Sequence, residues 1–248
     1  MAFLKEPGQQ PFLRVPAATT GLIAVLVCAH IARILAPAQR SQDLIYNYAF
    51  YPARYSHAFL AAHGNQSQSF WDRAIPFVSY NFLHGSFTHL AINCVWLLPF
   101  GSLVARRFGA LLFYLLFLLC GVAGAFAYLL ANWGLVEPMI GASAAISGLM
   151  GAAFRIIAAI DVRDVQSYSL ALGSAQRGDL PLASLFSPRL LLWSGLVVAI
   201  NVLVGRQSGF GPGAQLIAWQ AHIGGYFAGL VLAGPFDFFA RRLGHLPR

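Results

Sequence analysis

Charged side chains are scarce in this chain, because Asp, Glu, Lys and Arg together make up only 10% of its 248 residues. Soluble domains carry about 25% charged residues, so this composition excludes an ordinary soluble domain. Hydrophobic residues account for 58% of the chain. They gather in separate runs of about 20 residues, the length that crosses a ~30 Å hydrocarbon core. The composition therefore predicts an all-α protein that crosses a membrane several times.

Acidic residues are missing from the middle of every apolar run, and this argues against several kinds of site. A proton-coupled transporter usually relies on an intramembrane carboxylate, and an aspartyl protease or a carboxylate-bridged metal site needs two. Cysteine is also scarce, and the three cysteines show no metal-ligand spacing, so neither a metal nor a cofactor is expected. The acidic residues fall in predicted loops or at predicted helix ends: Glu6, Asp43, Asp72, Glu137, Asp161, Asp164, Asp179 and Asp237.

Six apolar runs predict a bundle of six transmembrane helices. A long connector at 36–80, rich in aromatic and polar residues, separates the first two and is expected to lie on the outer membrane surface. The predicted division is a cytoplasmic tail at 1–16, a membrane domain at 17–240 and a short basic cytoplasmic tail at 241–248. The predicted spans are 17–35, 81–104, 110–133, 139–160, 190–204 and 216–239.

Basic residues lie mainly in the short segments between the apolar runs. The net charge of +8 therefore reflects membrane orientation rather than binding to nucleic acid. A cytoplasmic N-terminus puts eleven of the sixteen basic residues inside, against four or five at the outer face. This bias predicts that both termini are cytoplasmic and that spans two, four and six run inward. No organelle-targeting presequence is evident, so we expect a bacterial inner membrane.

All three inward-running spans carry polar residues, and a polar group in lipid requires a reason. His89 and Asn93 stand four residues apart on one face of span two, while Ser143 lies in span four and His222 in span six. At 1.5 Å per residue, Ser143, His222 and His89 lie roughly 6, 9 and 12 Å below the predicted outer ends of their spans. The sequence therefore predicts one polar layer below the outer surface.

Small residues form a stripe on each of two spans, the fourth and the sixth. Such stripes let helix backbones approach closely within a membrane. Packing one stripe against the other is expected to bring the serine of span four opposite the histidine of span six. The stripes consist of Ser143, Ser147 and Gly151 in span four and of His222, Gly225 and Gly229 in span six.

The residues of this layer suit acyl-transfer chemistry. A serine hydroxyl becomes a nucleophile when a neutral imidazole about 3 Å away can take its proton. We predict Ser143 as the nucleophile and His222 as the general base of a dyad, since the spans offer no carboxylate as a third member. His89, the Asn93 amide and the backbone N–H of Ser143 are expected to stabilise the oxyanion, aided by the dipole of the fourth helix.

At these residues the sequence resembles the rhomboid family of intramembrane serine proteases, most closely over 79–239. NFLHGSFTHLAINCVWLLPFG is similar to the family's second helix, with its HxxxN element at His89 and Asn93. GASAAISGLMG is similar to the GxSG-containing fourth helix, which implies Ser143 as the nucleophile, and AWQAHIGGYFAGL to the sixth, which implies His222 as the base. The resemblance also implies hydrolysis of peptide bonds in or near transmembrane helices, without a metal or cofactor.

Three positions depart from the family pattern. Ala144 follows the serine where the family usually has glycine, and its methyl group is expected to crowd the oxyanion site. The stretch GSLVARRFG lacks the glutamate often found there, so no salt bridge from such an acid is expected. Ser147 stands where some relatives have an aromatic, and its hydroxyl is expected to bond to a carbonyl one turn earlier. Separately, Asn201 in span five is expected to make an interhelical hydrogen bond.

The leading hypothesis is an intramembrane serine endopeptidase that cuts single-pass or multi-pass membrane proteins within the lipid bilayer. Helical backbone groups are already paired, so substrates are expected to carry helix-weakening Gly, Pro or small residues near the outer end of a span. The alternative, motivated by Ala144, is a catalytically inactive relative that binds and retains membrane clients. A small transporter or channel is a third class, disfavoured by the missing intramembrane carboxylates and by the lack of a repeat.

Overall fold

The computed structural model describes residues 15–56, 61, 69–160, 178–207 and 217–246. Within these ranges the chain is mainly helical, and its β structure is an isolated antiparallel bridge between Phe50 and Met139. Most of the predicted tail at 1–16 lies outside the described residues. The helices are α1 (Ala17–Leu35), α2 (Ala38–Tyr48), α3 (Phe70–Ala74), α4 (Pro76–Ser79), α5 (Phe87–Ala131), α6 (Ser143–Ile157), α7 (Pro188–Gln207) and α8 (Trp219–Arg242), with 3₁₀ turns at Pro52–Tyr55 and Tyr80–Phe82.

Four of these helices, α1, α5, α7 and α8, are long and apolar enough to cross a membrane, and α6 is a shorter apolar helix. The 45 residues of α5 would measure about 68 Å as one rod, twice the ~30 Å hydrocarbon core. The helix is interrupted at Gly109, where φ is 79° and ψ is 169°. Glycine tolerates this positive φ because it has no Cβ. The interruption divides α5 into a first arm (87–108) and a second arm (110–131).

Contacts between the two arms show that α5 folds back on itself. A Cβ on Gly101 of the first arm would lie 3.4 Å from the Phe113 ring near the start of the second arm. Tyr80, just before the first arm, donates its hydroxyl to the carbonyl of Gly121 far along the second arm at 2.8 Å. The later part of the first arm thus contacts the start of the second, and the residue before the first arm contacts a later part of the second. The arms are therefore antiparallel spans of about 33 Å each. The predicted six-helix bundle is confirmed.

The connector between α1 and α5 determines where α6 starts. Phe50 and Met139 exchange backbone N–H···O bonds of 3.0 and 2.8 Å, and the N–H of Gly141 donates to the carbonyl of Tyr80 at 2.9 Å. These bonds hold the segment before α6 against the connector and outside any helix. Helix α6 therefore begins at Ser143, and the predicted start at Met139 is wrong.

Helices α6 and α8 pack backbone against backbone through small residues. A Cβ added to Gly225 would collide with the carbonyl of Ala144, and one added to Gly229 would collide with Gly148. The predicted stripe on span six is confirmed. The stripe predicted on span four is confirmed at Gly151 but wrong at its other two positions. Ala144 and Gly148 face α8 there, whereas Ser143 and Ser147 line a cavity.

A buried ion pair ties the end of the first arm of α5 to α8. Arg107 is fully buried, and its Nε donates to the carboxylate of Asp237 at 2.7 Å. Arg107 also donates to the carbonyl of Leu180 at 3.0 Å, and Arg241 reaches the second carboxylate oxygen of Asp237 at 3.1 Å. The sequence predicted no salt bridge from an acid on this stretch of span two. In the structure that stretch supplies the cation and α8 supplies the acid.

Candidate active site

Three helix N-termini meet at one end of the bundle. His89 is the third residue of α5, Ser143 is the first of α6 and His222 is the fourth of α8. The depths of 6–12 Å predicted from the sequence are wrong because each helix starts later than predicted, but the three residues do share one layer. First-turn N–H groups have no partner inside their own helix, and the helix dipole favours negative charge there. The layer is thus surrounded by three positive helix ends.

Ser143 and His222 are in hydrogen-bond contact across the interface between α6 and α8. The Oγ of Ser143 lies 2.8 Å from the Nε2 of His222, an ordinary distance for such a bond. Both side chains are half-buried. The contact depends on the small residues beside it, since Gly225, one turn after His222, lies directly on the carbonyl of Ala144.

The other ring nitrogen of His222 has a partner that the sequence did not assign to the site. Its Nδ1 lies 2.9 Å from the Oδ1 of Asn201 on α7, and the Nδ2 of Asn201 donates to the carbonyl of Val197 at 2.9 Å. The predicted interhelical bond of Asn201 is confirmed. The prediction of a two-membered cluster is incomplete, because only carboxylates were considered as a third member. The available signal was an amide side chain in an otherwise apolar span.

His89 and Asn93 line the same cavity as the Ser143–His222 pair. The His89 ring lies against Gly141, where an added Cβ would come within 2.7 Å of the ring Nε2. Gly141 also has a φ of 115°, so glycine is required there both for space and for conformation. Asn93 donates one N–H of its Nδ2 to the carbonyl of His89 at 2.8 Å. This bond does not use the second N–H of the amide.

The structure also locates two of the positions that depart from the family pattern. The hydroxyl of Ser147 donates to the carbonyl of Ser143 at 2.8 Å, so the predicted bond to the preceding turn is confirmed. Ala144 is only 1% exposed, and a Cβ on Gly124 of the second arm would lie 2.7 Å from the Ala144 methyl. The methyl group therefore occupies the contact between α5 and α6, where a glycine on the facing arm makes room for it.

A cavity of about 1160 Å³ contains the site and extends along the bundle between the first arm of α5 and α7. Its remote part is apolar, and the rings of Phe100, Phe154 and Trp193 meet there with centroid distances of 5.9 and 5.3 Å. Phe154 follows Ser143 along α6 by a distance of about 16 Å. The cavity is therefore a long apolar groove with a polar end that holds the serine and the histidines.

Comparison with known proteins identifies the family of this chain. The family model described as the Rhomboid domain matches residues 68–236, about two thirds of the chain. No match is found among curated proteins. The matched range contains both arms of α5, α6, α7 and most of α8, and with them every residue of the polar layer. This integral membrane protein belongs to the rhomboid family.

Proposed function

We propose that the protein is an active intramembrane serine endopeptidase with Ser143 as nucleophile and His222 as general base. The observation that carries the proposal is the 2.8 Å contact between Oγ and Nε2 at the polar end of an apolar groove. A serine of a membrane helix that has no side-chain partner bonds to its own backbone, as Ser147 does. Ser143 instead faces an imidazole whose other nitrogen is already held, the relation expected of a nucleophile and an oriented base.

The proposed reaction follows from the donors and acceptors around the serine. Nε2 of His222 takes the hydroxyl proton as Oγ attacks the substrate carbonyl, and the imidazolium then protonates the leaving amine. Water, activated by the same histidine, releases the acyl group and regenerates Ser143. The oxyanion is proposed to accept from the backbone N–H of Ser143, from Nε2 of His89 and from the second N–H of Asn93, in the field of three helix N-termini.

The substrate class is proposed from the shape and polarity of the groove. Apolar rings line its remote part, about 16 Å from Ser143 along α6, which suits a hydrophobic segment of a membrane protein rather than a soluble peptide. Only an unwound segment exposes a free amide to Ser143, so helix-weakening residues near the cut are expected. With both termini in the cytoplasm of a bacterial cell, as the basic residues suggest, the polar layer faces the periplasmic side of the inner membrane.

The test is cleavage, in detergent and in liposomes, of a single-pass substrate with Gly or Pro near the outer end of its span. Ser143→Ala and His222→Ala are each expected to lower the rate at least about a thousand-fold. Ser194→Ala is the matched control, because Ser194 is a buried serine of the bundle outside the cavity. Undiminished cleavage by Ser143→Ala or by His222→Ala contradicts the mechanism.

A fluorophosphonate probe separates the enzyme from the client-binding alternative. The probe is expected to label the wild-type protein at Ser143 and to leave Ser143→Ala unlabelled, since labelling requires an activated serine. A wild-type protein that folds and co-purifies with membrane clients, but neither cleaves nor labels, contradicts the proposal and favours the inactive relative.

A further inference from the structure

We propose that Asn201 is a positioning residue for His222: its side-chain oxygen holds the imidazole in the one tautomer that can accept the Ser143 proton. This inference rests on the proposed function, because it concerns the same histidine. The general base must present an unprotonated Nε2 to the serine, so its single proton has to reside on Nδ1. Asn201 supplies the acceptor for that proton, with Oδ1 located 2.9 Å from Nδ1.

The orientation of the Asn201 amide is determined by its other contact. A backbone carbonyl only accepts hydrogen bonds, so the group 2.9 Å from the carbonyl of Val197 must be the NH2 end of the amide. The oxygen end is then the one that faces His222. Reversing the amide would place two oxygens against each other at Val197. The tautomer of His222 follows from hydrogen-bond complementarity alone.

An amide suits this position better than the carboxylate common in soluble serine proteases. A buried carboxylate within a membrane span carries a large desolvation cost, whereas a neutral amide offers the same acceptor geometry without a buried charge. Cysteine proteases of the papain type already use asparagine in the equivalent role. The absence of an acid in span five is therefore compatible with a three-membered cluster.

Helix α7 is held so that Asn201 keeps its place. The residues that contact the rest of the bundle recur at about one per turn on a single face of the helix, which otherwise exposes leucine, isoleucine and valine side chains. Ser194, two turns before Asn201, bonds to the hydroxyl of Tyr226 on α8 at 2.8 Å. Gly205, one turn after Asn201, lies directly against Trp219 of α8. The nearer contact, between Gly205 and Trp219, thus holds the Asn201 amide at the level of His222, and the bond of Ser194 lies farther along α7.

The kinetic experiment compares Asn201→Ala, Asn201→Asp and the control Ser194→Ala on one transmembrane substrate across a range of pH. Asn201→Ala is expected to lower kcat about ten- to a hundred-fold with little change in KM, because it removes one hydrogen bond to a charged transition-state group. Asn201→Asp restores the acceptor and recovers most of kcat at alkaline pH. As the pH is lowered, the rate of Asn201→Asp begins to fall at a higher pH than that of wild type, because the added carboxylate stabilises the imidazolium.

The control distinguishes positioning from helix packing. Ser194→Ala removes one weak hydrogen bond of the same α7–α8 interface without touching His222, and it keeps the Gly205–Trp219 contact beside Asn201. It is therefore expected to keep the wild-type kcat and pH profile. Two results overturn the proposal: wild-type kinetics in Asn201→Ala, or an equal loss in Asn201→Ala and Ser194→Ala. Thermal unfolding of each variant identifies any that fails to fold. If Asn201→Ala fails to fold, the pH profile of Asn201→Asp tests the proposal in its place.

A second measurement does not depend on proteolysis. Nitrogen-15 NMR of labelled histidine, with His222→Gln to assign the signal, is expected to show neutral His222 as the single Nδ1–H tautomer in wild type and as a mixture in Asn201→Ala. A mixture in wild type, or one unchanged tautomer in Asn201→Ala, overturns the inference. If the wild-type protein cleaves nothing, the proposed function fails while this spectrum still decides the role of Asn201.

Discussion

Helix α8 has two neighbours that hold it in different ways. Against α6 it packs through glycine, so that no Cβ fits between the two backbones at Gly225 or Gly229. Against α7 it is joined by two side-chain hydrogen bonds, one at Tyr226 and one at His222, and by the packing of the Trp219 side chain on Gly205. The first contact leaves no space for adjustment, whereas the second is a narrow stripe on a helix that is mostly exposed outside the bundle.

The difference assigns a separate task to each interface. Backbone contact fixes the separation of α6 and α8, and therefore the 2.8 Å distance from Ser143 to His222. A hydrogen bond from α7 fixes the rotation and the tautomer of the imidazole at that distance. Close packing in membranes tolerates almost no added volume, while a single interhelical hydrogen bond contributes little free energy. Variants at the two interfaces should therefore differ in the size of their effect on stability.

The largest effect is expected for Gly229→Ala in the α6–α8 interface. The new methyl would collide with the backbone of Gly148, which cannot move aside as a side chain can. We expect the free energy of unfolding to fall by at least about 2 kcal/mol, with loss of cleavage, because the helices must separate. Unfolding in mixed micelles by a graded denaturing detergent measures this free energy.

Gly195→Ala on α7 is the matched control for that variant. A Cβ at Gly195 would meet nothing within 4 Å, and the residue is exposed. The same Gly→Ala change should here leave stability unchanged or raise it by up to about 1 kcal/mol, through the better helix propensity of alanine. Equal destabilisation by the two variants would show that the loss at Gly229 does not come from the α6–α8 contact.

A smaller effect is expected for Gly124→Ala, which tests the accommodation of Ala144. The added Cβ would lie 2.7 Å from the Ala144 methyl and 2.8 Å from the carbonyl of Ala221. We expect a loss of about 1–3 kcal/mol in the free energy of unfolding. Ala144→Gly should recover part of it in the double variant, since it removes only the first of these contacts, and alone should keep cleavage near the wild-type rate. Faster cleavage by Ala144→Gly alone would show that the methyl crowds the oxyanion after all.

The smallest effect is expected for the hydrogen bond between Ser194 and Tyr226. A double-mutant cycle of Ser194→Ala and Tyr226→Phe should give a coupling of about 0.6 kcal/mol, the average for interhelical hydrogen bonds in membranes. The measurement is the same detergent unfolding, with all four proteins compared. A coupling as large as the loss at Gly229 would mean that α7 is held as tightly as α6.

Much of the fold could be predicted from the sequence, because lipid forces apolar runs of sufficient length into helices. The polar layer was also predictable, since His89, Ser143 and His222 are costly in lipid and recur at similar positions along their spans. The helix starts were not predictable. Met139 lies at the edge of an apolar run, yet its backbone bonds to Phe50 of the connector and stays outside the helix.

The sequence by itself determined the number and order of the membrane spans, the stripe on α8 and the candidate nucleophile and base. These features depend on local composition and on helical periodicity. Only the tertiary structure decided that Asn201 bonds to His222, that Asp237 pairs with Arg107, and that α6 packs through Ala144 rather than through the preceding serine. Partners on different helices depend on the rotation of each helix about its axis and on its shift along that axis, and a shift of one residue turns a helix by about 100°. That geometry arises only when all the spans pack together.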